Sequence, residues 1–220
     1  MELEKIDIQN IPLLIDEWKQ LLMLSKFGID EVETKLKILN EEYSFFHDYN
    51  PIENIVSRVK DPEQIIGKLH RLGLAPTPQN AYKHLHDIGG VRVICSFAED
   101  VYKVAGLLER HNDLKVVKVK DYIQNPKSNG YRSLHMLVQI PVFLSDAVKS
   151  VMVEVQFRSI SMDLWASIEH KIYYKSALDI PPELLHRLRD CAERIEAVET
   201  EMYDIKCEIE KHMKQSEEIG

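Results

Sequence analysis

The sequence predicts an α/β fold, a mixed β-sheet flanked by helices, with long helices at both ends of the chain. Three observations predict it. Apolar residues recur at helical spacing in both terminal regions. Four segments in the middle are β-branched and alternate in polarity, as half-buried strands do. A helical stretch separates the first two of these, giving strand, helix, strand and then a hairpin-like pair.

The first element is a helix over residues 10 to 48. Val32, Leu36, Leu39, Tyr43 and Phe46 follow steps of four and three, which place them on one helical face. Asn50-Pro51 ends it, because the residue before a proline is pushed out of the helical region. The strands follow as GVRVICSF (90–97), LKVVKVK (114–120), YRSLHMLVQI (131–140) and VMVEVQFR (151–158), with a helix over 99–111 after the first. The connector PVFLSDAVKS holds ten residues, long for a tight hairpin, so part of it is expected to extend the strands. A helix around 160–174 contains Trp165. The tail, 182–213, carries Leu184, Leu188, Cys191, Ile195, Val198, Met202, Ile205 and Ile209 in a heptad-like seam. Such a helix packs on the N-terminal helix of its own chain or meets copies of itself. The organisation is therefore a helical region over 1–50, a mixed domain over 51–178 and a helical region over 179–220.

Composition narrows the function. The 220 residues, 45% of them hydrophobic, suffice for one sizeable core. A net charge of −8 argues against a general nucleic-acid binder. Cys95, Cys191 and Cys207 have no metal-ligand spacing and read as small core residues in a reduced, cytoplasmic setting. The N-terminal stretch lacks an apolar run long enough for a signal or membrane segment.

Alternation sorts the strands into faces. Met152, Glu154, Gln156 and Arg158 point opposite to Val151, Val153, Val155 and Phe157. Tyr131, Ser133, His135 and Gln139 point opposite to Leu134, Met136, Val138 and Ile140. Tyr, His, Glu and Gln together read as a concave polar site rather than a solvated face. Basic residues gather nearby in sequence: Arg58 and Lys60 in SRVK, Lys68 and Arg71 in GKLHR, Arg92, Lys120, Lys127 and Arg132. Such a set can offset a triphosphate, and Arg adds a bidentate fork.

Two carboxylates stand out. Asp87 precedes the first strand and Glu154 lies within the fourth. A carboxylate in mid-sheet is costly unless it meets a cation. Mg²⁺ held by one or two carboxylates plus substrate phosphates fits; a structural ion pair with Arg92 or Arg132 is the other reading of Glu154. There is no phosphate-binding P-loop pattern and no G-x-G-x-x-G. His47-Asp48 and His86-Asp87 would serve a metal phosphohydrolase only within a helical frame, and the second pair runs directly into a strand.

The segments SRVK, HDIGGVRVICSF, VKVKDYIQNPKSNGYRSLH, VEVQFR and MDLWASIEHKIYYK, in this order, resemble the synthetase domain of the RelA/SpoT homologues over roughly residues 50 to 175. The resemblance is to the small alarmone synthetases, most similar to the RelP type, without a hydrolase or regulatory domain; no hydrolase activity is expected. It implies a nucleotidyltransferase-like sheet, and a homo-oligomer, a tetramer in that group. It implies that ATP gives its β,γ-pyrophosphate to the 3′-hydroxyl of GDP or GTP, yielding ppGpp or pppGpp and AMP. On this resemblance Arg58 and Arg92 sandwich the adenine, while Lys60, Lys68 and Arg71 lie near the ATP phosphates. Asp87 and Glu154 hold Mg²⁺, and Glu154 takes the proton of the 3′-hydroxyl. Tyr131 stacks on guanine, with His135 and Gln156 nearby, and Lys120 and Lys127 reach acceptor phosphates. Asp163 stands near the guanine where relatives often carry Asn, and Lys120 stands where some carry Arg. The alternatives are another Mg-dependent nucleotidyl or phosphoryl transferase, which would not need Tyr131, and a non-catalytic helical scaffold, which would need neither Tyr131 nor Glu154.

Overall fold

The computed structural model describes residues 11–173 and 181–217. Its elements are α1 (Ile11–Phe46), β1 (Ile52–Val59), α2 (Pro62–Arg71), α3 (Pro78–His84), β2 (Gly89–Cys95), α4 (Ala98–Glu109), β3 (Lys115–Asp121), β4 (Leu134–Phe143), β5 (Val148–Ser159), α5 (Ile160–Tyr173) and α6 (Pro182–Glu217). The boundary expected at residue 178 lies outside the described residues.

The five strands form one sheet in the order β1-β2-β5-β4-β3. β2 and β5 are parallel, and every other pairing is antiparallel. The sheet is thus mixed, as expected, with one more strand than expected. β1 spans IENIVSRV, with as many polar as apolar positions, because it is an edge strand with most positions at least partly exposed. That composition hides it from a pattern search.

One face of the sheet is apolar. Val91, Val93, Met136, Val138, Val153, Val155 and Phe157 are buried there, against Ile29, Val32 and Leu36 of α1 and Val101, Val104 and Leu108 of α4. α1 crosses the sheet closely at Gly28. A Cβ added at this glycine would lie 2.6 Å from Val151 Cγ1 and 3.0 Å from Val151 Cβ. Tyr43, placed on the same helical face by spacing, is only half-buried, and Phe46 is exposed, since α1 has passed the sheet edge by then. α2 and α3 close a second small core in which Ile65, Leu69, Ala81 and Leu85 meet Leu21 of α1. Pro62 starts α2, and Thr77 caps α3 by accepting from the Asn80 amide.

α6 packs mainly on α5, not on α1 as one sequence reading had it. Trp165, Ala166 and Ala192 form that contact, and the Trp165 indole donates to the Leu188 carbonyl at 3.1 Å. Most of the heptad-like seam faces outward: Val198, Met202, Ile205 and Ile209 are each half or more exposed. Cys95 is buried, but Cys191 is exposed and Cys207 only half-buried, so the reading of all three as core residues is corrected. The helical period places both on α6, whose covered stripe is narrower than the seam. The connector resolves as expected. β4 runs to Phe143 and β5 starts at Val148, leaving a short turn closed by the Leu144 amide donating to the Ala147 carbonyl at 2.8 Å.

Candidate active site on the polar sheet face

Strand register builds this site. Arg58, Gly90, Glu154, Leu137 and Lys118 fall in one row across all five strands. Val56, Arg92, Gln156, His135 and Lys120 fall in the next row, two residues along each strand and therefore on the same face. Glu154 holds the centre. Gly90 beside it has no side chain, which leaves room between Arg58 on one edge strand and the Glu154 carboxylate. The cations of these rows are Arg58 on the edge strand β1, Arg92 beside it on β2, and Lys118 and Lys120 on the other edge, β3.

Asp87, in the loop before β2, joins this face at the start of that strand. Lys60 Nζ and Lys68 Nζ both lie 2.6 Å from its Oδ2. Burial raises the Asp87 carboxyl, but these two lysines outweigh it and hold the group below its ordinary value. A cleft of about 200 Å³ lies between Lys68, Asp87, Lys120, His135 and Glu154, with His84 and His86 on its rim. Glu154 is likewise raised by burial, and hydrogen bonds with His135 and Gln156 outweigh that and lower it. Gln156 Nε2 donates to its Oε2 at 2.7 Å, and His135 Nδ1 lies 3.3 Å from its Oε1. Both carboxylates are therefore ionised at neutral pH.

The residue expected to pair Glu154 structurally is elsewhere in both versions of that reading. Arg92 bonds Asp163 at 3.3 Å, and Arg132 bonds Glu196 of α6. The reading of Glu154 as the partner of either arginine is set aside, because its side-chain hydrogen bonds among the described residues are with His135 and Gln156.

Donor chemistry fits a hard divalent cation. Among the described residues, Asp87 Oδ1 is buried without a hydrogen-bond partner. No group of three or more His, Cys, Asp or Glu among them is placed to hold a metal alone. Two carboxylates that leave most positions to be filled by phosphate oxygens suit Mg²⁺ rather than Zn²⁺.

Tyr131 lies just ahead of β4 rather than within it. The chain turns at Gly130, whose φ is +91°, and a Cβ there would lie 2.7 Å from Ala192 Cβ. Glycine is needed at this point both for the backbone and for the close approach of α6. The Tyr131 ring is flanked by Tyr122 at 6.0 Å and His135 at 5.9 Å. Lys127 Nζ sits 4.7 Å over the Tyr131 ring and 4.8 Å over that of Tyr122. Arg71 is exposed at the end of α2 and does not line the cleft around Asp87; Arg58, also exposed, stands in the strand row beside it but outside the cleft lining.

Arg158 was missed as a site residue. Its side chain is only 7% exposed, and it bonds Asp163 at 2.9 Å and the Tyr131 hydroxyl at 3.0 Å. The signal was present, since alternation already put Arg158 on the polar face with Glu154 and Gln156. Lys118, His84 and His86 carried no such signal; only the register and the α3–β2 loop bring them to the cleft.

Fold and face together define a class: an α/β protein whose single sheet is greasy below and carries ionised carboxylates among cations above, as transfer of a charged phosphate group requires. Comparison with known proteins agrees. Residues 57–179 match the model of the region found in RelA/SpoT proteins. The chain is 45% identical to GTP pyrophosphokinase YwaC of Bacillus subtilis over 210 residues, covering 96% of this chain and 100% of that one. Small alarmone synthetase 2 of Bacillus subtilis superposes with a TM-score of 0.79 at 48% identity, over 87% of this chain and 98% of that structure. Small alarmone synthetase 1 of the same organism, bound to its product pppGpp, superposes at 0.80 with 33% identity, over 87% and 97%. Its structure with AMPCPP superposes at 0.74 with 29% identity, over 89% and 98%. The chain belongs to the RelA/SpoT family.

Proposed function

We propose that this protein is a GTP/GDP pyrophosphokinase that moves the β,γ-pyrophosphate of ATP to the 3′-hydroxyl of GDP or GTP. The products are AMP and ppGpp or pppGpp. The observation that carries this reading is Glu154: an ionised carboxylate at the centre of a sheet, with the Arg58–Arg92 side on one hand and the Tyr131–His135 side on the other. The solved structures of a relative with pppGpp and with AMPCPP support a donor and an acceptor nucleotide on the same domain.

Each residue then has a task. Arg58 and Arg92 offer planar guanidinium groups to the adenine. Lys60 and Lys68 supply charge beside the ATP phosphates, with Arg71 at the rim. Tyr131 stacks on guanine, His135, Gln156 and Asp163 border it, and Lys120 and Lys127 meet acceptor phosphates. Lys127 covers the ring that the base would use, so acceptor binding displaces it toward the phosphates. Glu154 accepts the 3′-hydroxyl proton as that oxygen bonds to the β-phosphorus of ATP. The bond from the β-phosphorus to its bridging oxygen breaks, and AMP leaves with that oxygen. Asp87 and Glu154 are the proposed Mg²⁺ ligands, and the bound ion would offset the charge of the transferred phosphates.

Oligomerisation belongs to the same proposal. The exposed apolar strip on α6 is covered by further copies of the chain, in a tetramer. The setting is cytoplasmic; no described helix is long and apolar enough to cross a membrane. The decisive experiment is incubation with ATP, GTP and Mg²⁺ followed by nucleotide separation. AMP and a pentaphosphorylated guanosine in equal amounts are expected. ADP and phosphate without a new guanosine nucleotide would overturn the reading.

A further inference from the structure

The Arg158 guanidinium donates to three acceptors. Nη1 lies 2.9 Å from Asp163 Oδ1, and Nη2 lies 3.0 Å from the Tyr131 hydroxyl and 3.4 Å from Gln156 Oε1. Guanidinium only donates and an ionised carboxylate only accepts, so Arg158 at one end and Glu154 at the other fix the direction of the bonds between them. The Tyr131 oxygen accepts from Arg158, so its own proton turns to its other neighbour, His135 Nε2, at 2.8 Å. With Nε2 accepting, a neutral His135 carries its proton on Nδ1, which faces Glu154 Oε1 at 3.3 Å. In the second branch, Gln156 Oε1 points to Arg158, so its amide nitrogen points away and donates to Glu154 Oε2 at 2.7 Å. Two branches leave one arginine and end, as donors, on the two oxygens of one carboxylate.

We infer that Arg158 is a positioning residue that locks both branches from the end opposite Glu154 and so holds the His135 and Gln156 donors on its two oxygens, its remaining lone pairs turned to the cleft. Asp163 anchors the device. It balances the charge of Arg158 and also accepts from Arg92 Nη1 at 3.3 Å, on the other side of the sheet face. Without Arg158 the Tyr131 hydroxyl is free to rotate and to accept from His135 Nε2–H instead. Only the carboxylate would then oppose the other tautomer of His135 and the other orientation of the Gln156 amide, and both donors would lose their fixed partner at the far end. A carboxylate at Asp163 suits this arrangement, since it supplies the counter-charge that a buried guanidinium needs.

The catalytic consequence rests on the proposed function, but the hydrogen-bond polarity does not, and the two are measured separately. In nucleotide-free, ¹⁵N-labelled protein at alkaline pH, the His135 ring signals, assigned by their loss in His135→Gln, are expected to show the Nδ1–H tautomer. Arg158→Met and Tyr131→Phe should each convert it to a mixture. In turnover, Arg158→Met should lower kcat roughly ten- to 100-fold, the scale of a hydrogen bond to an ionised group. KM for ATP should stay within about threefold, since uniform binding is not what is removed. Arg158→Lys keeps the charge and one donor and should recover part of the loss. Tyr131→Phe combined with Arg158→Met should be no slower than Arg158→Met alone, because the hydroxyl acts only through the arginine's polarity. An Nε2–H tautomer in the wild type, an unchanged tautomer in both variants or fully additive kinetic losses would each overturn the inference. Should Arg158→Met fail to fold, Tyr131→Phe alone tests its branch through the tautomer. Failure of the wild type to make AMP and a new guanosine nucleotide would sink the proposed function and leave the tautomer result standing.

Discussion

Glu154 and Tyr131 are the residues whose removal separates chemistry from binding. Glu154 keeps its charge in a sheet because His135 and Gln156 supply hydrogen bonds to its two oxygens, and its neighbours on the opposite side of β5, Val153 and Val155, are fully buried without it. Glu154→Gln is expected to fold with a melting temperature near that of the parent and to lose about 10²–10⁴-fold in turnover, the usual worth of a general base. A folded variant with parental turnover would leave Glu154 without a chemical role. Tyr131→Ala should weaken the guanine nucleotide roughly five- to 150-fold, from about 1–3 kcal/mol of base–aromatic stacking, and leave ATP binding in place. Titration calorimetry with each nucleotide decides this; a loss confined to ATP would reverse the two subsites.

At the level of elements, α1 is held to the sheet by packing and by two polar ties. Its apolar side reaches β5 over Gly28, where no Cβ fits without a shift of Val151. Gly28→Ala should cost about 1–3 kcal/mol of overpacking, read as a lower melting temperature at roughly 2–4 °C per kcal/mol for a chain of this size. The ties are Glu33, which bonds Ser57 of β1 at 2.5 Å and Lys37 at 2.7 Å, and Lys35, which bonds Asp113 at 2.6 Å. Hydrogen bonds from Lys37 and Ser57 hold Glu33 below its ordinary 4.5, and the bond from Lys35 holds Asp113 below its ordinary 3.8. Groups lowered in this way contribute stability that is present above their unfolded values and is lost as pH falls through the folded ones. Melting temperature should therefore stay level down to about pH 5 on this account and drop below it. Glu33→Gln should flatten the drop; an unchanged acid profile would remove Glu33 as a tie.

For the whole molecule, the single chain leaves work undone on α6. Val198, Met202, Ile205 and Ile209 stand exposed along the seam, while Leu188 and Ile195, nearer its start, pack against the Trp165–Ala166–Ala192 cluster. A stripe of that kind is stable when another helix covers it. Sedimentation at micromolar concentration is expected to give a tetramer, and Met202→Asp with Ile205→Asp to give a smaller species that keeps its helical signal. A monomeric parent would refute this. Chelation should abolish turnover, and Mg²⁺ should restore it, without changing the sedimentation of the parent.

Period and composition alone determined much of this molecule. The two long helices, four of the five strands and the two faces of β4 and β5 follow from apolar spacing, because burial on one side imposes a period of 3.6 or of 2. Glu154, Gln156 and His135 could be placed on one face for the same reason. Tertiary structure alone decided what spacing cannot carry. The edge strand β1 is too exposed to show a pattern. Insertion of β5 between β2 and β4 is a matter of topology, and it is what carries Arg92 and Gln156 into one row. Asp87 and Glu154 are 67 residues apart in the chain, and only the loop before β2 brings them to one cleft. Arg158 shows the limit most clearly. Its side of the strand was legible from alternation, but its three acceptors come from β5, α5 and the turn at Gly130, and a hydrogen-bond direction exists only once those partners meet.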